Sequence, residues 1–171
     1  MEDLDTLFGS FVVEVSMRMD VPPEAVWDLV TDVSRVPEFS PEVVRAAWLE
    51  GGPQGPVIHA RFAGTNKLAD FEWTRVCTVV AAERPGVFAY TVGDRFDGSP
   101  SGTWTFECVP DGEGTIVRQR FAHAPEGRSG TRLLAEQDPA KAAAIIETRR
   151  GILERGMKTT LEAIKNVLER G

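Results

Sequence analysis

Residues 11–19, FVVEVSMRM, alternate apolar and polar side chains without a break. Phe11, Val13, Val15, Met17 and Met19 share one face, and Glu14, Arg18 and Asp20 share the other. A period of two predicts a strand buried on one side. In VPPEAVWDLVTD two prolines open a helix, and Ala25, Val26, Leu29 and Val30 recur at helical spacing. VSRVPEF predicts a second short helix, cut off by Pro37.

The next runs read as strands by their β-branched and aromatic content. EVVRAAWLE and VIHARFAGT flank GGPQGP, whose turn chemistry predicts a hairpin. FEWTRVCTVVAAE is a long strand, and RPG turns it into VFAYTVGD. GTWTFECVP and GTIVRQRFAHA flank DGEG, the clearest hairpin turn in the chain. Residues 124–138, APEGRSGTRLLAEQD, have no clean period. They read as a loop with a short helical piece around Leu133 and Leu134, long enough to serve as a lid.

Asp138 and Pro139 pair as cap and first turn of a helix running to about Glu169 (140–169). Its apolar stripe is Ile145, Ile152, Met157, Leu161, Ile164 and Leu168, with Ala142 and Leu153 beside it. About 30 helical residues span roughly 45 Å, enough to cross a whole sheet. Gly151 and Gly156 interrupt it, at about 1 kcal/mol each relative to alanine. A tolerated weak point, close approach to the sheet, a bend and room for a ligand are the four readings of these glycines.

The element order is strand, two short helices, six strands, long helix. No βαβ repeat occurs, and short connections imply an antiparallel sheet. The expected class is α+β: a curved antiparallel sheet of about seven strands wrapped around one long C-terminal helix. Residues 1–171 read as one such domain, with its core over 11–169. A bent sheet and a single helix leave a gap between them, where a ligand fits.

Composition narrows the function classes. The chain has 171 residues, 42% of them hydrophobic, which supports a real core. A formal net charge of -7 disfavours nucleic acid and anionic membrane as partners. No apolar run is long enough to span a bilayer. The N-terminus, MEDLDTLFGSF, is acidic where a secretory signal is basic, so a cytoplasmic location is expected. Cys77 and Cys108 form no CxxC and sit in strand-like runs, which predicts buried free thiols. His59 and His123 belong to no metal-binding spacing, and neither a metal nor another cofactor is expected.

VPPEAVWDLVTDVSRVPEFSPEV, RFAGTN, Trp73, CTV at 77–79, GTWTFECVP and DGEGTIV, in this order, resemble the helix-grip superfamily. That superfamily (SRPBCC) includes START lipid-transfer domains and the major birch pollen allergen. The resemblance is closest to its bacterial polyketide cyclase/dehydrase-like family and spans residues 11–169. It implies a helix-grip fold around a cavity for a hydrophobic or aromatic small molecule, lipid or polyketide-like. It also implies two alternatives: a polyketide aromatase/cyclase or dehydratase using general acid/base chemistry, or a ligand-free interaction or self-resistance protein. A monomer or homodimer is expected.

The ligand-binding candidates are Trp73, Tyr90, Trp104 and Phe106 from the strands, with Met157 and Leu161 from the long helix. Trp104 and Phe106 share a face, so two large rings point inward together and suit a flat polycycle. Trp27 reads as packing between helix and sheet. The candidates for catalysis are Arg75, His59 and Arg61. An inward arginine binds a carboxylate or enolate oxygen, and an inward histidine is a general base near neutral pH. Alternation places His59 and Arg61 opposite Ile58, Ala60 and Phe62, towards solvent. Arg75 shares its face with Phe71, Trp73, Cys77 and Val79, which argues for its burial. Arg118 and Arg120 lie opposite Val117 and Phe121 and are expected outside.

Overall fold

A computed structural model describes residues 2–170. Seven antiparallel strands form one open sheet: β1 (Val12–Met19), β2 (Val43–Trp48), β3 (Arg61–Leu68), β4 (Phe71–Glu83), β5 (Val87–Gly93), β6 (Pro100–Asp111) and β7 (Gly114–His123). The spatial order is β1-β7-β6-β5-β4-β3-β2. Every neighbouring pair except β1–β7 is a sequence-adjacent hairpin. The register shifts at Val43/Arg45, Val79/Ala81 and Val92/Gly93. Each irregularity bends its strand and deepens the curl.

The first helix, α1 (Leu4–Gly9), lies in a segment that the periodicity left unassigned. Asp3 caps it by accepting from the Thr6 amide, and its one fully buried side chain is Phe8. After β1 come α2 (Pro23–Val30) and a 3-10 turn (Val33–Glu38) that keeps Pro37 inside it and ends just past it. Trp27 of α2 packs edge-on against Phe88, ring centres 6.1 Å apart.

Residues 124–138 hold a defined helix, α3 (Gly130–Gln137), capped by Ser129. The long helix α4 runs Ala142–Arg170, entered through a 3-10 turn at Pro139–Lys141. Asp138 does not cap it: the carboxylate makes no cap bond and pairs with Lys141 at 3.3 Å. The helix's buried stripe is Ala142, Ile146, Met157, Thr160, Leu161 and Ile164. The expected stripe thus rotates at its N-terminal half. Ile145 is half-buried and Ile152 is 41% exposed, because α3 packs beside this part of α4 and shifts the covered face. Beyond Met157 the expected positions hold.

α4 lies mainly along β1 and also meets β7, α2 and α3. The dense core is there, built from Phe8, Phe11, Val15, Met19, Val26, Leu29, Phe88, Phe106, Met157, Leu161 and Ile164. The β2 side of the sheet faces the 3-10 turn instead.

One strand is shorter than its pattern. Residues 57–60 are not extended: His59 has φ 74°, and β3 starts only at Arg61. Ile58, expected inward, is 53% exposed. The proline- and glycine-rich separator therefore continues three residues past its last turn-former, and burial resumes at Ala60.

Candidate functional site

The inner face of the sheet follows from the register. In one row Val79, Tyr90, Trp104, Phe121 and Val13 stand side by side across β4, β5, β6, β7 and β1. The next holds Phe88, Phe106, Gln119 and Val15. Towards the β2 edge, Gly64 pairs with Arg75 on one side and Ala46 on the other, and Asn66 pairs with Trp73.

Burial along this face is uneven. Val79, Phe88 and Phe106 are closed off, at 0%, 1% and 4% exposed. Trp48, Trp73, Arg75, Tyr90, Val92, Trp104 and Phe121, on the same face, keep intermediate exposure. Large inward rings that solvent still reaches line a concave trough. Gly64 locates its open part. It is buried, yet a side chain added there would meet nothing within 4 Å. Its partners, Ala46 and Arg75, are a small residue and a long flexible one, so β3 leaves space above its inner surface.

The aromatic lining falls into three groups of touching rings. Phe62 packs edge-on to both Trp48 (5.5 Å) and Tyr90 (5.0 Å), and Trp104 lies 5.0 Å from Phe121. Trp73 stacks on Phe71 at 5.5 Å, and Phe71 is 67% exposed at the end of the strand. Burial, and then the adjacent Cys77 thiol, hold the Tyr90 phenol above its ordinary range. Burial pushes the Cys77 and Cys108 thiols up to about 12, so neither is a nucleophile at neutral pH.

The six ligand-binding candidates divide by place. Trp73, Tyr90 and Trp104 stand half-buried along the trough. Phe106, Met157 and Leu161 lie in the packed core, at 4%, 2% and 0% exposed. The three candidates for catalysis are not brought together. His59 and Arg61 are exposed, while Arg75 faces inward and half-buried, beside Gly64. Its one hydrogen bond goes to the Thr74 carbonyl at 2.9 Å. Burial, and then the charge of Arg95, draw its pKa below the ordinary arginine value; a guanidinium stays charged at neutral pH regardless. Arg118 and Arg120 point outward and meet Glu14 and Glu107.

Two inward polar residues escaped the sequence reading. Asn66 faces the trough opposite Trp73. Gln119 is buried between Phe106 and Val15. The signal was present for Gln119: the alternation that turns Arg118 and Arg120 outward turns it inward with Val117 and Phe121.

His123 ends β7 with both ring nitrogens engaged. Nδ1 lies 2.6 Å from the Ala124 carbonyl, which only accepts, so Nδ1 carries the proton. Nε2 then accepts from the Ser129 hydroxyl at 2.6 Å. Ser129 also caps α3, so this imidazole fastens the 124–129 loop to the sheet. Arg128 reinforces it through Asp94 (2.7 Å) and Asp97 (2.6 Å). Arg132 adds Asp5 and the Pro125 carbonyl, each at 2.7 Å.

Burial, supported by the Arg132 charge and opposed by the Ala124 bond, lowers the His123 pKa below 6.5. The unfolded chain therefore takes up this proton first as the pH falls. The stability that His123 contributes is present above about pH 6.5 and is lost as pH drops through the lowered folded value. Urea unfolding from pH 7 down to about 5 will show a falling midpoint, and His123→Asn will flatten that fall. An equal slope in both proteins would refute the assignment.

Among the described residues, no helix is long and apolar enough to cross a membrane. Among them too, no three potential ligands cluster as a metal site would need.

An open antiparallel sheet that curls beside one long C-terminal helix, with an aromatic trough on its concave side, defines the helix-grip class. The family described as polyketide cyclase/dehydrase and lipid transport matches residues 10–169, and the chain belongs to it. Among solved structures, a polyketide-cyclase-like protein from Corynebacterium glutamicum is 30% identical, with 93% of this chain and 91% of that one covered and a TM-score of 0.67. A protein from Mesorhizobium loti is 20% identical over 93% of this chain and 97% of its own, with a TM-score of 0.63. The di-domain aromatase/cyclase StfQ of the steffimycin biosynthetic pathway shares the fold at 16% identity and a TM-score of 0.69, with 93% of this chain but 51% of StfQ covered. No curated protein matches the chain.

Proposed function

We propose that this protein binds a flat or elongated apolar small molecule, polyketide-like or lipid-like, in the trough between the sheet and α4. The observation that carries this is the open space over Gly64, on the same concave face as the half-buried rings of Trp73, Tyr90 and Trp104. From β3 to β7 is four strand spacings, at most roughly 19 Å, which suits a molecule of several fused rings. The family's description as cyclase/dehydrase and lipid transport supports the same ligand class.

Binding without turnover is the better supported form. The inward polar groups named above are Asn66, Arg75, Tyr90, Gln119 and His123. None of the five is a carboxylate, both His123 nitrogens are engaged, and the Tyr90 phenol is held protonated. Proton abstraction has no ready base among them. Arg75, inward beside the open space, favours cyclisation as the second reading: its guanidinium would stabilise an enolate oxygen. The likeness to StfQ points the same way.

Trp48, Trp73 and Trp104 supply the test. Titration with pyrene, a flat polycycle, will quench their fluorescence saturably, with one ligand per chain. Native mass spectrometry of freshly purified protein will show a co-purified hydrophobic molecule. Linear, non-saturating quenching together with a ligand-free mass would sink the proposal. The second reading gains if a poly-β-ketone surrogate is cyclised by the native chain and not by Arg75→Met.

A further inference from the structure

Seven polar or charged residues are buried among the described residues: Thr31, Thr65, Asp94, Thr115, Gln119, His123 and Thr160. Six have partners. Thr31, Thr115 and Thr160 donate to the carbonyls of Trp27 (2.7 Å), Val21 (2.7 Å) and Gly156 (2.9 Å). Thr65 shares a bond with Thr74 at 2.8 Å. Asp94 Oδ1 accepts three backbone amides, and its Oδ2 lies 2.7 Å from Arg128 Nη2. His123 uses both nitrogens.

Gln119 stands apart. It is 6% exposed, and its side-chain oxygen is buried with no hydrogen-bond partner. A buried amide oxygen left unpaired is costly, and leucine, of similar shape, would avoid that cost. Its place is specific. It points from the concave face, directly beside Phe106 and Val15, diagonally beside Trp104 and two residues before Phe121 on its own strand, where the half-buried aromatic band meets the packed core.

We infer that Gln119 is the specificity-determining contact of the trough: its amide selects a ligand that carries a hydroxyl group at its buried end. This rests on the ligand-binding reading above. A hydroxyl is both donor and acceptor, so it satisfies the amide whichever way the side chain is turned. A pure hydrocarbon leaves the amide unpaired, and sites built to bond a hydroxyl reject analogues that lack it. The ligand class sharpens from apolar polycycle to hydroxylated polycycle or a similarly hydroxylated lipid.

Three fluorescent probes of one shape test this: pyrene, 1-hydroxypyrene and 1-methoxypyrene. The native chain will bind 1-hydroxypyrene about 10-fold more tightly than pyrene, the scale of one buried hydrogen bond. The methoxy compound, an acceptor that cannot donate, will fall with pyrene if the amide oxygen faces the ligand. If the amide nitrogen faces it, the methoxy compound will fall with the hydroxy compound. In Gln119→Leu the preference for hydroxypyrene will collapse to about 1, through weaker hydroxypyrene binding and stronger pyrene binding. Gln119→Met is the second variant should Leu not fold, and the native chain's own preference needs no variant.

Equal affinity of the native chain for pyrene and hydroxypyrene would overturn this inference and leave the binding function standing. So would a preference that survives in both variants. Failure of all three probes to bind would overturn both together.

Discussion

Gly64→Leu will lower the affinity for pyrene roughly 100-fold while leaving the protein at least as stable as before. Gly64 is buried on the concave face, and nothing lies within 4 Å of where its Cβ would be. Four carbons placed there occupy the space assigned to the ligand. Forcing a ligand past them carries the energetic scale of overpacking, up to about 3 kcal/mol, which corresponds to roughly 100-fold in affinity. Stability moves the other way. Glycine in a strand interior loses more backbone entropy than other residues and offers no side chain to pack. Gly64 is not among the positive-φ glycines, so leucine adopts its backbone without strain. Gly64→Ala separates the two effects: one carbon gains the stability and leaves most of the space. Fluorescence titration and thermal melts on the three proteins decide the matter. Unchanged affinity in Gly64→Leu would place the ligand elsewhere, and a lower melting temperature would mean that the space is already filled.

Why this fold was readable from the chain, and its site only partly, follows from what alternation encodes. A period of two reports which face a residue takes, and it does so wherever a strand is one-sided. Phe71–Val79 is the case in point: Trp73, Arg75, Cys77 and Val79 take one face until the register shift at Val79/Ala81 breaks the period. The same rule turns Arg75 inward and Arg118 and Arg120 outward. It fails where the backbone leaves the extended state. Residues 57–60 look like strand by composition, but a left-handed His59 takes them out of the sheet, and Ile58 ends in solvent. It also fails to say what covers a face. Ile145 and Ile152 are apolar at helical spacing, yet Ile145 is only half-buried and Ile152 is exposed, while Ile146 is the residue buried in this part of α4. Only the tertiary arrangement supplies that.

The site shows the same division more sharply. Alternation puts Tyr90, Trp104 and Phe106 on one inward face but cannot distinguish a ring that packs from a ring that lines a space. That distinction depends on which parts of the sheet the helices cover. α4 runs along β1 and α2 packs on β6; Phe106 is sealed, while Tyr90 and Trp104 keep intermediate exposure. Gln119 illustrates the opposite failure. Its parity was legible, but a lone glutamine between two arginines draws attention only once its partners are counted and found missing.

Leu161→Ala will therefore cost about 3 kcal/mol of folding stability and leave pyrene affinity within about 2-fold. Leu161 is 0% exposed and sits between Met157 and Ile164 on the buried stripe of α4, in the cluster that includes Phe8, Phe88 and Phe106. Removing three carbons from such a site forfeits their transfer free energy and opens a cavity that helix and sheet only partly close. No single surface ion pair of this protein carries comparable weight, since exposed pairs contribute about 1 kcal/mol or less. The ligand, in contrast, rests on the half-buried rings. Trp104→Ala will weaken pyrene binding by more than about 10-fold, the scale of one lost aromatic contact with its buried area. Urea unfolding and pyrene titration of the two variants give four numbers with opposite patterns. Should Leu161→Ala weaken binding as much as Trp104→Ala while costing under about 1 kcal/mol, then Leu161 lines the ligand space. The trough would then extend beneath α4, and the core would be smaller than its burial implies.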